Sequence, residues 1–113
     1  MLSPMPVAAD EIIEVTEEVI VETETERIER LVREAFKDAP IMVEVARCES
    51  QFRNVPSETG DFGPFQINQV HNKRLQELGL DRTAIEDNVT YARLLYDNRG
   101  TQPWYMSKHC WGE

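Results

Sequence analysis

The first hydrophobic pattern along the chain recurs every three or four residues, which predicts an amphipathic helix. Thr23 is followed three residues later by Glu26, and this capping box predicts that the helix begins there. Two pairs in the favourable i,i+4 order, Glu26–Arg30 and Glu29–Arg33, are expected on its exposed side. The face predicted to be buried carries Ile28, Leu31, Val32, Ala35 and Phe36.

A second helix is predicted over residues 40–52, with Pro40 at its first position, where proline is favoured. At about 100° per residue the apolar and polar side chains separate into two arcs, and Val43 is the one misfit. Glu49 falls in the middle of the apolar arc, so its carboxyl group is predicted to face the core. The apolar arc holds Ile41, Met42, Val45, Ala46, Cys48 and Phe52, and the polar arc holds Glu44, Arg47, Ser50 and Gln51.

The remaining chain alternates between a turn-rich stretch and further helices. Residues 53–68 are rich in Gly and Pro, which predicts a loop or a short hairpin. Helices are predicted over 69–78, closed by Gly79, and over 85–98, closed by Gly100. The predicted fold class is therefore mainly α (α+β), a small helical domain with a short β-hairpin or loop. The last helix is expected to bury Val89, Ala92, Leu95 and Tyr96.

The excess negative charge of the chain is concentrated in its first 26 residues. The formal net charge is −9 over 113 residues, a length that corresponds to one domain. Residues 1–26 hold eight acids and no Lys or Arg, whereas the rest holds 13 acids and 12 bases. Because phosphate binding requires a basic surface, nucleic acid is not expected as a partner. We predict an acidic flexible tether over residues 1–22 and a folded domain over residues 23–113.

Export is a second expectation for the N-terminal segment. The first nine residues, MLSPMPVAA, end in small residues like a signal cleavage site, but they lack the basic and apolar regions of a signal peptide. Two interpretations stay open for them, the remnant of an export signal or a tail whose Ala-Ala pair has no targeting role. No stretch approaches the about 20 apolar residues that a membrane span requires.

The two cysteines, Cys48 and Cys110, leave three alternatives open. In an exported protein they would form a disulfide that links the middle of the chain to its end. In a cytosolic protein both would stay reduced. A zinc site with His71 and His109 is the third alternative, although these residues follow no metal-site spacing.

Glu49 is the candidate with the clearest chemical consequence. A carboxyl group on a buried helical face loses hydration, which raises its pKa, and the negative end of the helix dipole acts in the same direction. A general acid requires such a protonated carboxyl near neutral pH. The alternative is a structural Glu49 that caps a buried backbone group or pairs with Arg53.

Other polar residues of the turn-rich stretch are weaker candidates. Asp61 lies between glycines, where aspartate often hydrogen-bonds its own turn backbone. Gln66 and Asn68 alternate with apolar residues, so their amides would share one face of a strand and could bind a sugar or satisfy the backbone. Aromatic side chains could stack on sugar rings or belong to the core. These are Tyr91, Tyr96, Trp104, Tyr105 and Trp111.

Two ordered motifs give the chain a resemblance to the lysozyme-like superfamily over about residues 40–111. Glu49-Ser50-Gln51-Phe52 is followed after a short loop by the string GDFGPFQIN, which begins at Gly60. The arrangement resembles the SLT domain of bacterial lytic transglycosylases, and the string is similar to the D-x-G-x-x-Q-I-N of c-type lysozymes. Cys48-Glu49-Ser50 and the Trp/Cys-containing end resemble resuscitation-promoting factors, which are small secreted wall-cleaving domains.

The resemblance implies cleavage of the β-1,4 bond between N-acetylmuramic acid and N-acetylglucosamine in peptidoglycan. Glu49 matches the catalytic acid of the superfamily, and Asp61 matches the second carboxylate of c-type lysozymes. Gln66 and Tyr91 would line the cleft, and Asn68 and Ser57 complete the predicted substrate-binding set. We expect a lytic transglycosylase that acts as a monomer without a cofactor or metal, in an extracellular, periplasmic or wall-associated location, with Cys48 and Cys110 joined.

Three alternatives to this expectation follow from the same residues. A hydrolytic muramidase would use Glu49 together with Asp61. A non-catalytic peptidoglycan-binding module would retain the cleft without the reaction. A helical interaction domain would use Glu49 only as a buried cap.

Overall fold

The computed structural model describes residues 20–112, over which five α-helices and one antiparallel hairpin form a mainly helical domain. The predicted fold class is therefore confirmed. Short 3-10 helices at Gln69–His71 and Gln102–Ser107 precede the third and fifth α-helices. The elements are α1 (Glu24–Ala35), α2 (Ile41–Ser50), β1 (Asp61–Phe62), β2 (Ile67–Asn68), α3 (Asn72–Leu78), α4 (Ile85–Arg99) and α5 (Lys108–Trp111).

Helix α1 begins with the predicted capping box. Thr23 Oγ1 accepts from the Glu26 N–H, and Glu26 Oε1 accepts from the Thr23 N–H. The Glu29–Arg33 pair forms as predicted. The predicted Glu26–Arg30 pair is wrong, because the cap occupies the Glu26 carboxylate and Arg30 instead contacts two other carboxylates. These belong to Glu22 and Glu34.

Helix α2 is shorter than predicted, and Pro40 is its N-cap rather than its first residue. Met42, Val45 and Ala46 are buried as the periodicity indicates. Ser50 was predicted on the polar arc but is buried, because the loop after the helix folds back onto it. Its Oγ lies 2.9 Å from the Pro64 carbonyl oxygen, to which it donates.

An aromatic cluster joins the helices to the loop that carries the hairpin. Phe65, in that loop, packs against Phe36 at the end of α1 and against Trp104, with ring centroids 5.4 and 5.8 Å apart. Trp104 Nε1 donates to the Phe65 carbonyl oxygen over 3.0 Å. The loop is therefore anchored in the core, which fixes the hairpin relative to α2.

Asn88 of α4 is fully buried and ties the hairpin to the helix. Its Oδ1 accepts from the Phe65 N–H, and its Nδ2 donates to the carbonyl oxygens of Phe62 and Arg82. This one amide satisfies three main-chain groups, one of them on β1. The hairpin itself is a two-residue ladder that pairs Asp61 with Asn68 and Phe62 with Ile67.

We expect Gly63→Ala to destabilise the domain by about 3 kcal/mol, because two effects combine. Gly63 has φ +88°, and an added Cβ would lie 2.3 Å from Nδ2 of Asn88. The clash would displace the amide and leave buried main-chain groups unpaired. Urea unfolding measures the loss.

Gly79→Ala is the matched control for this substitution. Gly79 also has positive φ (+73°), but a Cβ there would meet no atom within 4 Å. Its replacement should cost only about 1 kcal/mol of backbone strain. Equal losses for the two variants would contradict the role given to Asn88.

The predicted export-signal remnant and most of the predicted tether lie outside the described residues. At the end of that segment, Glu22 accepts hydrogen bonds from Arg30 of α1 over 2.8 and 3.0 Å. Among residues 20–112, no helix has the length and apolar character required to cross a bilayer.

Candidate active site

Glu49 occupies the last turn of α2 and is half-buried where this helix meets the C-terminal segment. Its Oε2 accepts a hydrogen bond from Ser107 Oγ over 2.6 Å. Arg53, the alternative partner considered from the sequence, donates from Nε to the Ser50 carbonyl oxygen instead. The carboxyl group therefore faces a hydroxyl group rather than a cation.

Burial raises the pKa of Glu49 above its ordinary value. The hydrogen bond from Ser107 opposes this rise, and the negative charge of Asp61 adds to it. The direction is the one predicted from the helical periodicity. A carboxyl group with a raised pKa retains its proton to higher pH, which is the property of a general acid.

The backbone turns sharply directly after Glu49. Gln51 and Phe52 both adopt the left-handed conformation, with φ of 58° and 59°, which is uncommon for residues with a side chain. Ser50 fixes the following loop through its bond to Pro64. These contacts hold the hairpin loop against the end of the helix that carries Glu49.

Asp61, on β1, is held by hydrogen bonds from three side chains. Thr59 Oγ1 and Ser57 Oγ donate to its Oδ2 over 2.7 and 3.0 Å, and Asn68 Nδ2 donates to its Oδ1 over 2.9 Å. Burial alone would raise its pKa, but these donors and the charge of Arg82 outweigh burial and lower it. Asp61 is therefore ionised at neutral pH.

The residues predicted to bind substrate all make contacts within the protein. Ser57 and Asn68 hold Asp61, as described above. Gln66 Nε2 donates to the carbonyl oxygens of Val55 and Gly63, so its amide group supports the loop. Their substrate contacts stay predictions.

Tyr91 is buried on α4, and its hydroxyl group lies 2.8 Å from Nδ1 of His71. The pair forms part of the wall of an open groove of about 350 Å³. The groove is lined by residues that include Arg74, Leu78, Leu94 and Asn98.

A disulfide between Cys48 and Cys110 joins α2 to α5, with the Cα atoms 6.0 Å apart. The predicted pairing is present, and it excludes the zinc alternative because neither sulfur is a free thiolate. Within residues 20–112 no cluster of three or more His, Cys, Asp or Glu is arranged to hold a metal ion.

Sequence reasoning missed Ser107, Thr59 and Asn88. Asn88 was detectable, because it lies between Ile85 and Val89 on the periodic apolar face of α4. Ser107 gives no comparable signal, since it contacts Glu49 across 58 residues of sequence.

Two carboxyl groups with opposite pKa shifts thus lie in one region. The pKa of Glu49 is raised, whereas that of Asp61 is lowered, and the charge of Asp61 contributes to the rise at Glu49. Such a division suits acid–base chemistry in which one group transfers a proton and another stabilises positive charge.

Comparison of the chain with protein-family models, with curated proteins and with solved structures gives no match. The assignment of function therefore depends on the geometry of the site and on its sequence motifs.

Proposed function

We propose that this protein cleaves the β-1,4 bond between N-acetylmuramic acid and N-acetylglucosamine in peptidoglycan, with Glu49 as general acid and base. The observation that carries the proposal is the half-buried Glu49 carboxyl, with its raised pKa and its hydrogen bond from the Ser107 hydroxyl. The two ordered motifs that resemble the lysozyme-like superfamily supply the substrate class.

In the lytic route, Glu49 protonates the glycosidic oxygen, and the bond to the muramoyl C1 breaks. The resulting carboxylate then accepts the proton of the muramoyl 6-hydroxyl group, whose oxygen closes a 1,6-anhydro ring on C1. Glu49 is protonated again at the end, so the cycle consumes no water and requires no second carboxylate. This route is our first choice because it depends on Glu49 alone.

Hydrolysis by a muramidase is the second candidate, and the state of Asp61 favours it. An ionised carboxylate held by three donors has a fixed position, and its charge reaches Glu49. A negative group in that place would stabilise the oxocarbenium-like transition state of glycoside hydrolysis, or trap the sugar as a covalent intermediate. Water would then complete the reaction.

The disulfide supports the proposed location. Disulfides persist in oxidising, extracytoplasmic compartments and are rare in the cytosol of most organisms. Peptidoglycan lies on the same side of the membrane. An extracellular, periplasmic or wall-associated protein would therefore meet its substrate there.

Mass spectrometry of the soluble products released from purified peptidoglycan tests the proposal. We expect muropeptides with 1,6-anhydro ends, about 18 Da lighter than the corresponding reducing ends because no water is added. Reducing ends would favour the muramidase, and Asp61→Asn should then lower product release. Binding to peptidoglycan without any product would favour a non-catalytic module and contradict cleavage.

A further inference from the structure

Three polar groups converge on the hydroxyl group of Ser107. Two are acceptors, namely Oε2 of Glu49 at 2.6 Å and the carbonyl oxygen of Trp104 at 3.1 Å. The third is a donor, the indole Nε1–H of Trp111, whose nitrogen lies 3.0 Å from Ser107 Oγ. A serine hydroxyl has one proton, so it can donate to only one of these acceptors at a time. The indole N–H is shared, since Trp111 Nε1 also lies 3.3 Å from the Trp104 carbonyl oxygen, which therefore keeps a donor when Ser107 turns to Glu49.

The two acceptors correspond to the two protonation states of Glu49. When Glu49 is ionised, Ser107 donates to Oε2 and accepts from Trp111. When Glu49 is protonated, its O–H can donate to Ser107 Oγ, while the Ser107 hydroxyl rotates towards the Trp104 carbonyl. The indole donor stays in place in both states. Only the hydroxyl hydrogen has to move, so neither state leaves a polar group unpaired.

The position of Ser107 in the fold supports a role directed at Glu49. Ser107 ends the 3-10 helix Gln102–Ser107 and lies immediately before α5, and its side chain makes no capping bond to the first turn of α5. The hydroxyl group instead contacts Glu49 on α2, and the Cys48–Cys110 disulfide holds these two helices together.

We infer that Ser107 is a positioning residue for the acid–base step, which holds Glu49 in both protonation states through a hydroxyl group that switches between Glu49 and Trp104. The inference rests on the proposed function, because an acid that later acts as base must be stabilised in both states. The hydrogen bond from Trp111 holds Ser107 Oγ in place while the hydroxyl hydrogen turns about the Cβ–Oγ bond.

Other charged groups near the site do not replace this contact. Asp61 acts on Glu49 through its charge, in the opposite sense to Ser107. On α5, Lys108 and His109 are exposed, and Lys108 Nζ lies 5.2 Å from the centroid of the Tyr105 ring on the preceding 3-10 helix. On α1 and α2, charged side chains pair with one another rather than with Glu49. These pairs are Arg30–Glu34, Arg33–Glu29 and Arg47–Glu44.

The direct test is a carbon-13 NMR titration of the Glu49 carboxyl group, assigned with Glu49→Gln. The charge-assisted hydrogen bond from Ser107 to the ionised carboxylate is stronger than the bond between the two neutral groups, so Ser107→Ala should raise the pKa of Glu49 above its wild-type value. Ser107→Thr retains the hydroxyl and should keep the pKa close to wild type. Met106→Ala, on the same 3-10 helix and 94% exposed, is the matched control and should leave it unchanged.

The pH profile of kcat/KM provides the second readout. The rate should fall as pH rises through the pKa of Glu49, because the free enzyme must carry the proton. In Ser107→Ala this fall should move to higher pH, and the maximum should drop by about tenfold as the carboxyl loses its fixed orientation. Substitution of a residue with only a structural role would lower the rate without shifting the pH at which the rate falls.

An unchanged pKa of Glu49 in folded Ser107→Ala overturns the inference. If that variant does not fold, Trp111→Phe replaces it, since phenylalanine fills most of the indole site without the N–H. It should raise the pKa of Glu49 in the same direction by a smaller amount, and no change would again overturn the inference. The titration requires no catalysis, so absence of product from the wild type would contradict the proposed function separately.

Discussion

Glu49→Gln is expected to lower the release of soluble peptidoglycan fragments by about 1,000-fold while the domain stays folded. Glutamine has nearly the shape of the carboxyl group and can still accept from Ser107, but it has no acidic proton to give to a glycosidic oxygen. Turbidity loss of purified walls, followed by product analysis, measures the effect. Circular dichroism and urea unfolding establish that the fold is intact.

Glu44→Gln is the matched control on the same helix. Glu44 forms a surface ion pair with Arg47, and its side chain is half exposed. Its removal should change stability by less than about 1 kcal/mol and should leave product release at the wild-type level. Wall lysis by Glu49→Gln at the wild-type rate would exclude Glu49 as the acid and with it the mechanism proposed here.

The same variant has a stability signature that separates chemistry from folding. Since the pKa of Glu49 is higher in the folded chain than in the unfolded chain, the folded state binds more protons between the two values. Wild-type stability therefore includes a contribution that is present at low pH and lost as pH rises through the folded pKa. Glu49→Gln has no such titration, so its stability relative to wild type should increase from acidic to neutral pH.

Helical periodicity was sufficient to single out Glu49 because α2 buries one face along its length. The same rule failed for Ser50, one residue later, since burial there comes from the loop at Pro64 and not from the helix period. The i,i+4 pairing rule failed for Glu26, because the capping box occupies its carboxylate and competes with the predicted pair to Arg30. Local rules thus fail where a distant segment or a competing cap acts on the same side chain.

The contacts around the two carboxyl groups could not be predicted without the tertiary structure. Turn chemistry predicts that Asp61 bonds its own backbone, whereas its carboxylate accepts from the side chains of Ser57, Thr59 and Asn68. Ser107 reaches Glu49 only because the C-terminal segment folds against α2. The cysteines alone left three alternatives, since pairing depends on the compartment as well as on distance.

Removal of the disulfide by Cys48→Ala with Cys110→Ala should lower the free energy of unfolding by about 4 kcal/mol in the chain-entropy model. The bond closes a loop with a sequence separation of 62 residues, so the unfolded chain gains much freedom without it. Urea unfolding of wild type with and without dithiothreitol measures the same quantity. The double variant should be insensitive to the reductant.

Activity should fall together with stability, because the disulfide lies beside the site. Cys48 directly precedes Glu49, and Cys110 directly precedes Trp111, which donates to Ser107. Without the bond, α5 is attached to α2 only by non-covalent contacts, so the hydrogen bond between Ser107 and Glu49 would break in part of the population. Product release below the unfolding transition should therefore decrease in the double variant. Wild type that thiol titration shows to be fully reduced should have a lower urea midpoint than the oxidised protein. An unchanged midpoint would refute both the stabilisation by the disulfide and its link to the site.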